Sequence, residues 1–86
     1  MNIEDHINEQ CEVIRNLLIT KNRAYGNSVF DPINVFAKND WETQINVRID
    51  DKLNRIKKGK EYPEEDTILD LIGYLILLSI GRKLFS

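Results

Sequence analysis

The strongest constraint on the fold is a run near the C-terminus, residues 68–80, that is apolar on nearly every side of a helix but contains one carboxylate, Asp70. A helix that is apolar all round is surrounded by protein. An isolated buried charge is too costly to persist unpaired, so Asp70 needs a cation from another helix, a metal ion or its own proton. Arg48, Lys52 and Arg55 are the candidate partners. Such buried carboxylates are typical of both structural ion pairs and functional sites.

Size and composition indicate one small intracellular domain. A chain of 86 residues forms a single domain, 1–86, near the lower limit for a self-sufficient core. Its one cysteine, Cys11, excludes an internal disulfide and favours a reducing compartment. A net charge of −2 argues against broad nucleic-acid binding. The N-terminus lacks a signal-peptide pattern, and the apolar run is shorter than the ~20 residues of a bilayer span, so we expect a cytoplasmic protein with no membrane segment.

The first half of the chain predicts one long helix and one short one. Apolar residues at steps of three or four predict an amphipathic helix over residues 3–21. Asp31 and Pro32 are typical of an N-cap followed by the first helical position, which predicts a short helix over residues 32–38.

The second half predicts two further long helices. Asn39 or Asp40 would cap a third helix, with Glu42 completing a capping box from Asn39, and that helix would end near residues 58–59. Its apolar stripe consists of Trp41, Ile45, Ile49, Leu53 and Ile56. The last helix is predicted to begin at Pro63, with acidic residues in its first turn, and to continue to about residue 83.

These elements predict an all-α fold, a small bundle of three main helices plus one short helix. Two other long helices cannot cover every side of the apolar last helix. We therefore expect a homo-oligomer that forms through the C-terminal helix.

Three clusters of polar side chains are candidates for chemistry. The first follows the first helix and combines cations, amides and a phenol that suit a phosphate and a base: Lys21, Asn22, Arg23, Tyr25, Gly26 and Asn27. By composition alone, an ordinary helix C-terminus explains this cluster better. The second is a charged row on the third helix, formed by Arg48, Asp50, Asp51, Lys52 and Arg55, in which Asp51 has the spacing to pair with Arg48 and Arg55.

The third cluster consists of acids on the last helix. Asp66 and Asp70 are four residues apart and are predicted to project from one side of it. Together with Glu65 or Asp51 they would suit Mg²⁺, which takes one or two carboxylates plus substrate phosphate. Acids at a helix start are otherwise explained by the helix dipole, an explanation that does not extend to Asp70.

At these clusters the chain resembles a known family of small phage and prophage proteins, the nucleotide modification associated domain type 1 family. Four ordered motifs between residues 21 and 80 carry the resemblance: Lys21-Asn22-x-x-Tyr25-Gly26-Asn27-Ser28, Asp31-Pro32-x-x-x-Phe36-Ala37-Lys38, Arg48-Ile49-Asp50-Asp51-Lys52-Leu53-x-Arg55-Ile56 and Glu65-Asp66-x-x-x-Asp70-Leu71-Ile72-Gly73-Tyr74-Leu75. The resemblance implies a nucleotide as the substrate class and the cytoplasm of a phage-infected or lysogenic bacterium as the location.

A looser similarity is to the all-α NTP pyrophosphohydrolases of the MazG-like kind. Those enzymes hold Mg²⁺ over a triphosphate with helical acidic motifs, and their final helix is similar to Glu65, Asp66 and Asp70 here. This chain departs from them because its preceding long helix carries only Asp50 and Asp51 where they have two or three glutamates.

Three functional hypotheses follow. The first is Mg²⁺-dependent hydrolysis of a nucleoside polyphosphate, with Asp66 and Asp70 catalytic and Glu65, Asp66 and Asp70 as metal ligands. The second is a non-enzymatic protein that sequesters a cyclic or modified signalling nucleotide made by host defence. In both hypotheses the predicted ligand-binding residues are Lys21, Asn22, Tyr25, Asn27, Arg48, Asp51, Lys52, Arg55 and Tyr74. The third is a helical interaction protein whose charged clusters are structural.

Overall fold

Three α-helices form all the regular secondary structure in the residues that this computed structural model describes, 1–26, 29–30, 40–59 and 66–85. They are α1 (Ile3–Tyr25), α2 (Trp41–Lys58) and α3 (Thr67–Leu84). The predicted all-α class and its three main helices are confirmed. The predicted short helix, 32–38, lies outside the described residues.

Helix α1 is longer at its C-terminus than the predicted span 3–21. Asn2 caps its start, since its side chain accepts a hydrogen bond from the backbone N–H of Asp5 at 2.9 Å. The helix ends where Gly26 takes the left-handed conformation, at φ 60°, and donates its N–H to the carbonyl of Asn22. Lys21, Asn22 and Tyr25 therefore lie on the last helical turns and not in a turn beyond them. No residue between Lys21 and Gly26 is a strong helix breaker, so the helix continues to the glycine.

Helix α2 starts from Asp40, one of the two predicted caps, and not from the alternative capping box at Asn39. Asp40 is the N-cap, and its carboxylate accepts the backbone N–H of Thr43 at 2.7 Å. Glu42 therefore does not occupy the third helical position and instead pairs with Arg82 of α3, at 2.6 Å. The predicted C-terminus is confirmed, because the helix ends at Lys58 and Gly59 takes φ 66°.

Helix α3 begins at Thr67, four residues after the predicted start at Pro63. Asp66 is its N-cap and accepts the backbone N–H of Leu69 at 3.0 Å, which places Asp66 before the helix and not within it. The helix ends at Leu84, one residue beyond the predicted end. No helix among the described residues is long and apolar enough to cross a membrane.

Helices α2 and α3 pack antiparallel along a common seam. Near the start of α2, the Trp41 ring lies against Gly81 and forms an aromatic cluster with Phe30 and Phe85, with ring centroids 5.5–5.7 Å apart. A Cβ at position 81 would overlap the Trp41 ring, so the close approach depends on glycine. Ile45 is buried in the next turn of the seam.

The C-terminal half of the α2 seam differs from the predicted apolar stripe. Leu53 and Ile56 are exposed, and the buried side chain at this level is Lys52. The buried face of α2 therefore runs through Ile45 and Lys52, which are seven residues, or two helical turns, apart. The reason lies on α3, where a carboxylate faces this part of the seam and favours an ammonium group over a leucine.

Helix α1 contacts α3 over a shorter stretch. Ile14 is buried, and the Leu18 side chain lies 3.2 Å from where a Cβ of Gly73 would stand. The three helices thus meet around residues 70–73 of α3, where the candidate site lies.

Candidate functional site

The site is centred on Asp70, which lies in the first turn of α3 between the other two helices. The Lys52 ammonium group of α2 is 3.3 Å from one carboxylate oxygen of Asp70. The Lys21 ammonium group of α1 is 3.9 Å from the other oxygen. Of the partners predicted for Asp70, a cation from another helix, a metal ion or a proton, the structure shows the first, and Lys52 was one of the three candidate cations.

The two lysines differ in their access to solvent. The side chains of Lys52 and Asp70 are 11% and 19% exposed, whereas that of Lys21 is 53% exposed. Lys52 and Asp70 therefore form a largely desolvated pair, in which each ion offsets the cost of burying the other. Lys21 is at the outer limit of ion pairing and is mostly hydrated, so its contact with Asp70 is weak.

The charges at this junction do not balance. Lys21 and Lys52 face one carboxylate, so the three groups sum to +1. Because Lys52 and Asp70 neutralise one another in the interior, the surplus charge lies on the exposed ammonium group of Lys21. A surplus cation beside a partly buried ion pair attracts anions.

The other predicted ligand-binding residues lie one helical turn from these three contacts. Tyr25 follows Lys21 by four residues on α1, Arg48 precedes Lys52 by four on α2, and Tyr74 follows Asp70 by four on α3. Tyr25 and Arg48 are exposed and Tyr74 is half-buried. The structure thus brings Lys21, Lys52 and Asp70 into ion-pairing distance. Because α1 and α2 both run antiparallel to α3, Tyr25 lies one turn away on the Asp66 side of this junction, whereas Arg48 and Tyr74 lie one turn away on the Gly73 side.

The remaining predicted residues have separate surroundings. Asp51 pairs with Arg55 on the surface of α2, at 3.4 Å, as its spacing predicted. Asn22 is exposed on the last turns of α1. Asn27 and Glu65 lie outside the described residues.

The acids within the described residues do not form a cluster of metal ligands. No three His, Cys, Asp or Glu side chains among residues 1–26, 29–30, 40–59 and 66–85 lie close enough to hold a metal ion. One oxygen of Asp66 accepts a helix N–H, and both oxygens of Asp70 face lysines. A Mg²⁺ ion at Asp70 would have to displace ammonium groups, and the third predicted metal ligand, Glu65, lies outside the described residues.

The sequence pattern did not predict two features of the site. The first is the pairing of Lys21 with Asp70, because Lys21 was predicted to bind a phosphate. The signal was its position three residues after Leu18, in line with Ile14 and Leu18, since this spacing marks the packed face of α1. The roles of Gly73 and Gly81 were also missed. Isolated glycines inside a helical pattern are a signal of close packing.

The comparisons with known proteins do not identify a function, so the functional argument rests on the geometry of the site. No family model, no curated protein and no solved structure matches this chain. The resemblance to the nucleotide modification associated domain type 1 family stays a prediction carried by its four motifs.

Proposed function

We propose that this protein binds a nucleotide without hydrolysing it, at the junction of the three helices. The observation that carries the proposal is the surplus cation at Asp70, where two lysines from different helices face one carboxylate. Lys52 is held in the interior by Asp70, so Lys21 is the group that a phosphate would engage. An ammonium–phosphate hydrogen bond is charge-assisted and contributes about 1.5–3 kcal/mol.

The neighbouring side chains suit the rest of a nucleotide. The exposed ring of Tyr25, one turn after Lys21, is available to stack on a base, and such stacking contributes about 1–3 kcal/mol. Asn22 and Arg48 are exposed and supply an amide and a guanidinium group for further polar contacts. None of these contacts requires a metal, so the side chains suit a binding protein.

The proposal is tested by titration calorimetry with a panel of nucleoside mono-, di- and triphosphates and cyclic dinucleotides, with and without Mg²⁺. We expect at least one member of the panel to bind in the absence of Mg²⁺. Lys21→Gln should weaken that binding about 10- to 100-fold, from the loss of one charge-assisted contact. Lys57→Gln is the matched control, because Lys57 is an exposed lysine in the last turn of α2, and it should bind like the wild type.

The same samples distinguish the hydrolytic alternative. Chromatography of the nucleotides after incubation should recover them unchanged. If the wild type converts a nucleotide only when Mg²⁺ is present, and Asp70→Asn does not convert it, the protein is a hydrolase and the binding proposal is wrong. If Lys21→Gln binds the nucleotide as tightly as the wild type, the proposed site is wrong.

A further inference from the structure

Two apolar stripes lose their cover on the same side of the α1–α3 contact, toward the N-terminus of α1 and the C-terminus of α3. On α1 the exposed fraction rises from 6% at Ile14 to 56% at Ile7 and 73% at Ile3, and Cys11 between them is exposed. On α3 it rises from the buried Gly73 through 37% at Ile76 and 40% at Ile80 to 65% at Leu84. We call Ile3, Ile7 and Cys11 the α1 stripe, and Ile76, Ile80 and Leu84 the α3 stripe.

The two stripes belong to the faces by which the helices already touch. Leu18 meets Gly73 and Lys21 meets Asp70, so α1 and α3 run antiparallel at their contact. The α1 stripe continues the face of Ile14 and Leu18 at steps of three and four, and the α3 stripe continues the face of Gly73 in the same way. Rising exposure on both faces means that the helices diverge and leave an open apolar cleft between them.

The cleft exposes apolar side chains at successive turns of both helices. Such a surface is typical of a site that binds a partner and not of the surface of a monomer.

We propose that a second copy of this chain fills the cleft. The N-terminal half of α1, residues 3–14, of one copy packs on the α3 stripe of the other, and the exchange is reciprocal around a two-fold axis. One operation then covers both stripes of both copies, because each copy offers the same two complementary faces.

Charge complementarity favours a second copy as the occupant. Residues 1–14 carry four carboxylates, at Glu4, Asp5, Glu9 and Glu12, and no lysine or arginine. The last turn of α3, at the far end of the α3 stripe, carries Arg82 and Lys83, of which Arg82 is paired with Glu42 of the same chain, and α3 has no carboxylate after Asp70. An acidic helix end on this basic end is attractive, whereas pairing two α1 helices would bring like charges together.

The interface is independent of the proposed nucleotide site. None of its residues is among those assigned to the nucleotide, and the α1 stripe lies at the opposite end of α1 from Lys21 and Tyr25. Failure of one proposal therefore leaves the other intact.

Sedimentation equilibrium of matched aspartate variants tests the proposal. We expect the wild-type chain to be a dimer, and Ile7→Asp and Ile80→Asp to raise the dimer dissociation constant by at least 100-fold while circular dichroism shows unchanged helicity. Val13→Asp is the control, because Val13 is 48% exposed on α1 and lies off the stripe. It should dimerise like the wild type. A monomeric wild type, larger open-ended oligomers, or equal disruption by Val13→Asp would overturn the proposal.

Cross-linking between two different chains tests the arrangement itself and does not depend on losing the dimer. One chain carries Cys11→Ser with Ile7→Cys, and the other carries Cys11→Ser with Ile80→Cys and a mass tag. Oxidation of the mixture should give the mixed disulfide as the main product if α1 of one copy lies on α3 of the other. Only same-chain dimers, or no cross-link, would overturn the reciprocal exchange.

Discussion

The α2–α3 seam and the N-terminal half of α1 each contain the apolar face of an amphipathic helix, yet only in the seam do other helices of the same chain cover that face. The seam has aromatic rings at one end, the buried Ile45 in the middle and the Lys52–Asp70 pair near the other end. Residues 3–11 of α1 have the same apolar periodicity and no cover from α3. Amphipathic spacing therefore specifies that a helix has a face to bury, but not which surface buries it.

The largest expected effect tests how much of the stability lies in the seam. Ile45→Ala removes a side chain that is fully buried between α2 and α3 and should lower the free energy of unfolding by about 2–5 kcal/mol. The control Val47→Ala, at an exposed position of the same helix, should change it by no more than about 0.5 kcal/mol. Urea denaturation followed by circular dichroism measures both. If both variants lower the free energy of unfolding by similar amounts, the seam is not the core.

The ion pair at the junction gives the next effect. Asp70→Asn leaves the Lys52 ammonium group in the seam without a carboxylate and should lower the free energy of unfolding by about 1–3 kcal/mol, less than for a fully buried pair because some solvent reaches both groups. Asp51→Asn, which breaks the more exposed pair with Arg55, should cost no more than about 1 kcal/mol.

A companion variant separates the two cations of Asp70. Lys21→Met should cost less than about 1 kcal/mol, because its contact with Asp70 is long and more than half exposed. A cost as large as that of Asp70→Asn would show that α1 is held as firmly as α2, and the contrast between the two regions would fail.

The two glycines of α3 sharpen the same comparison. Gly81→Ala places a methyl group into the Trp41 ring and should cost about 1 kcal/mol net, since overpacking of about 1–3 kcal/mol is partly offset by a helix-propensity gain of about 1. Gly73→Ala meets only the end of the flexible Leu18 side chain, at 3.2 Å, so its stability should stay near that of the wild type. Thermal denaturation of both variants checks this order, and a greater loss at Gly73 would reverse it.

The smallest expected effect is a pH dependence at the start of α2. Hydrogen bonds from Thr43, chiefly from its backbone N–H, hold the pKa of the Asp40 carboxyl below its usual value. The stabilisation is therefore complete above the unfolded-state pKa of about 3.9 and is lost as the pH falls through the lower folded-state pKa. Asp40→Asn keeps a capping side chain but cannot titrate, so its helicity should fall less than that of the wild type in acid. Identical acid titrations, followed by circular dichroism, would contradict this.

Local structure was largely predictable from the sequence. Apolar spacing and helix-ending residues predicted the three helices, and the glycine at position 59 predicted where α2 ends. The sequence left open which of two adjacent residues, Asn39 or Asp40, caps α2, and it placed the start of α3 too early, at a proline that precedes the true cap, Asp66. Such choices depend on which side-chain oxygen reaches an N–H group, and spacing alone does not decide this.

The candidate site was predictable only in outline. The cost of burying a charge predicted that Asp70 meets a cation. Arg48, Lys52 and Arg55 were equivalent candidates by spacing, and Lys21 is nearly fifty residues away in the chain. The structure selects Lys52 and Lys21 because the helix positions and crossing angles bring only their ammonium groups to that carboxylate among the residues described.

The sequence by itself determined which segments are helical, which faces are apolar and that the carboxylate of α3 has to be compensated. All three follow from the order of neighbouring residues and from the free energy of desolvation, which act whatever the rest of the chain does. The tertiary structure alone decided that a lysine occupies the seam where a leucine was predicted, that glycines admit Trp41 and Leu18, and that α1 leaves α3 after a short contact. Those outcomes depend on how side chains distant in sequence fit together, and no local pattern contains that information.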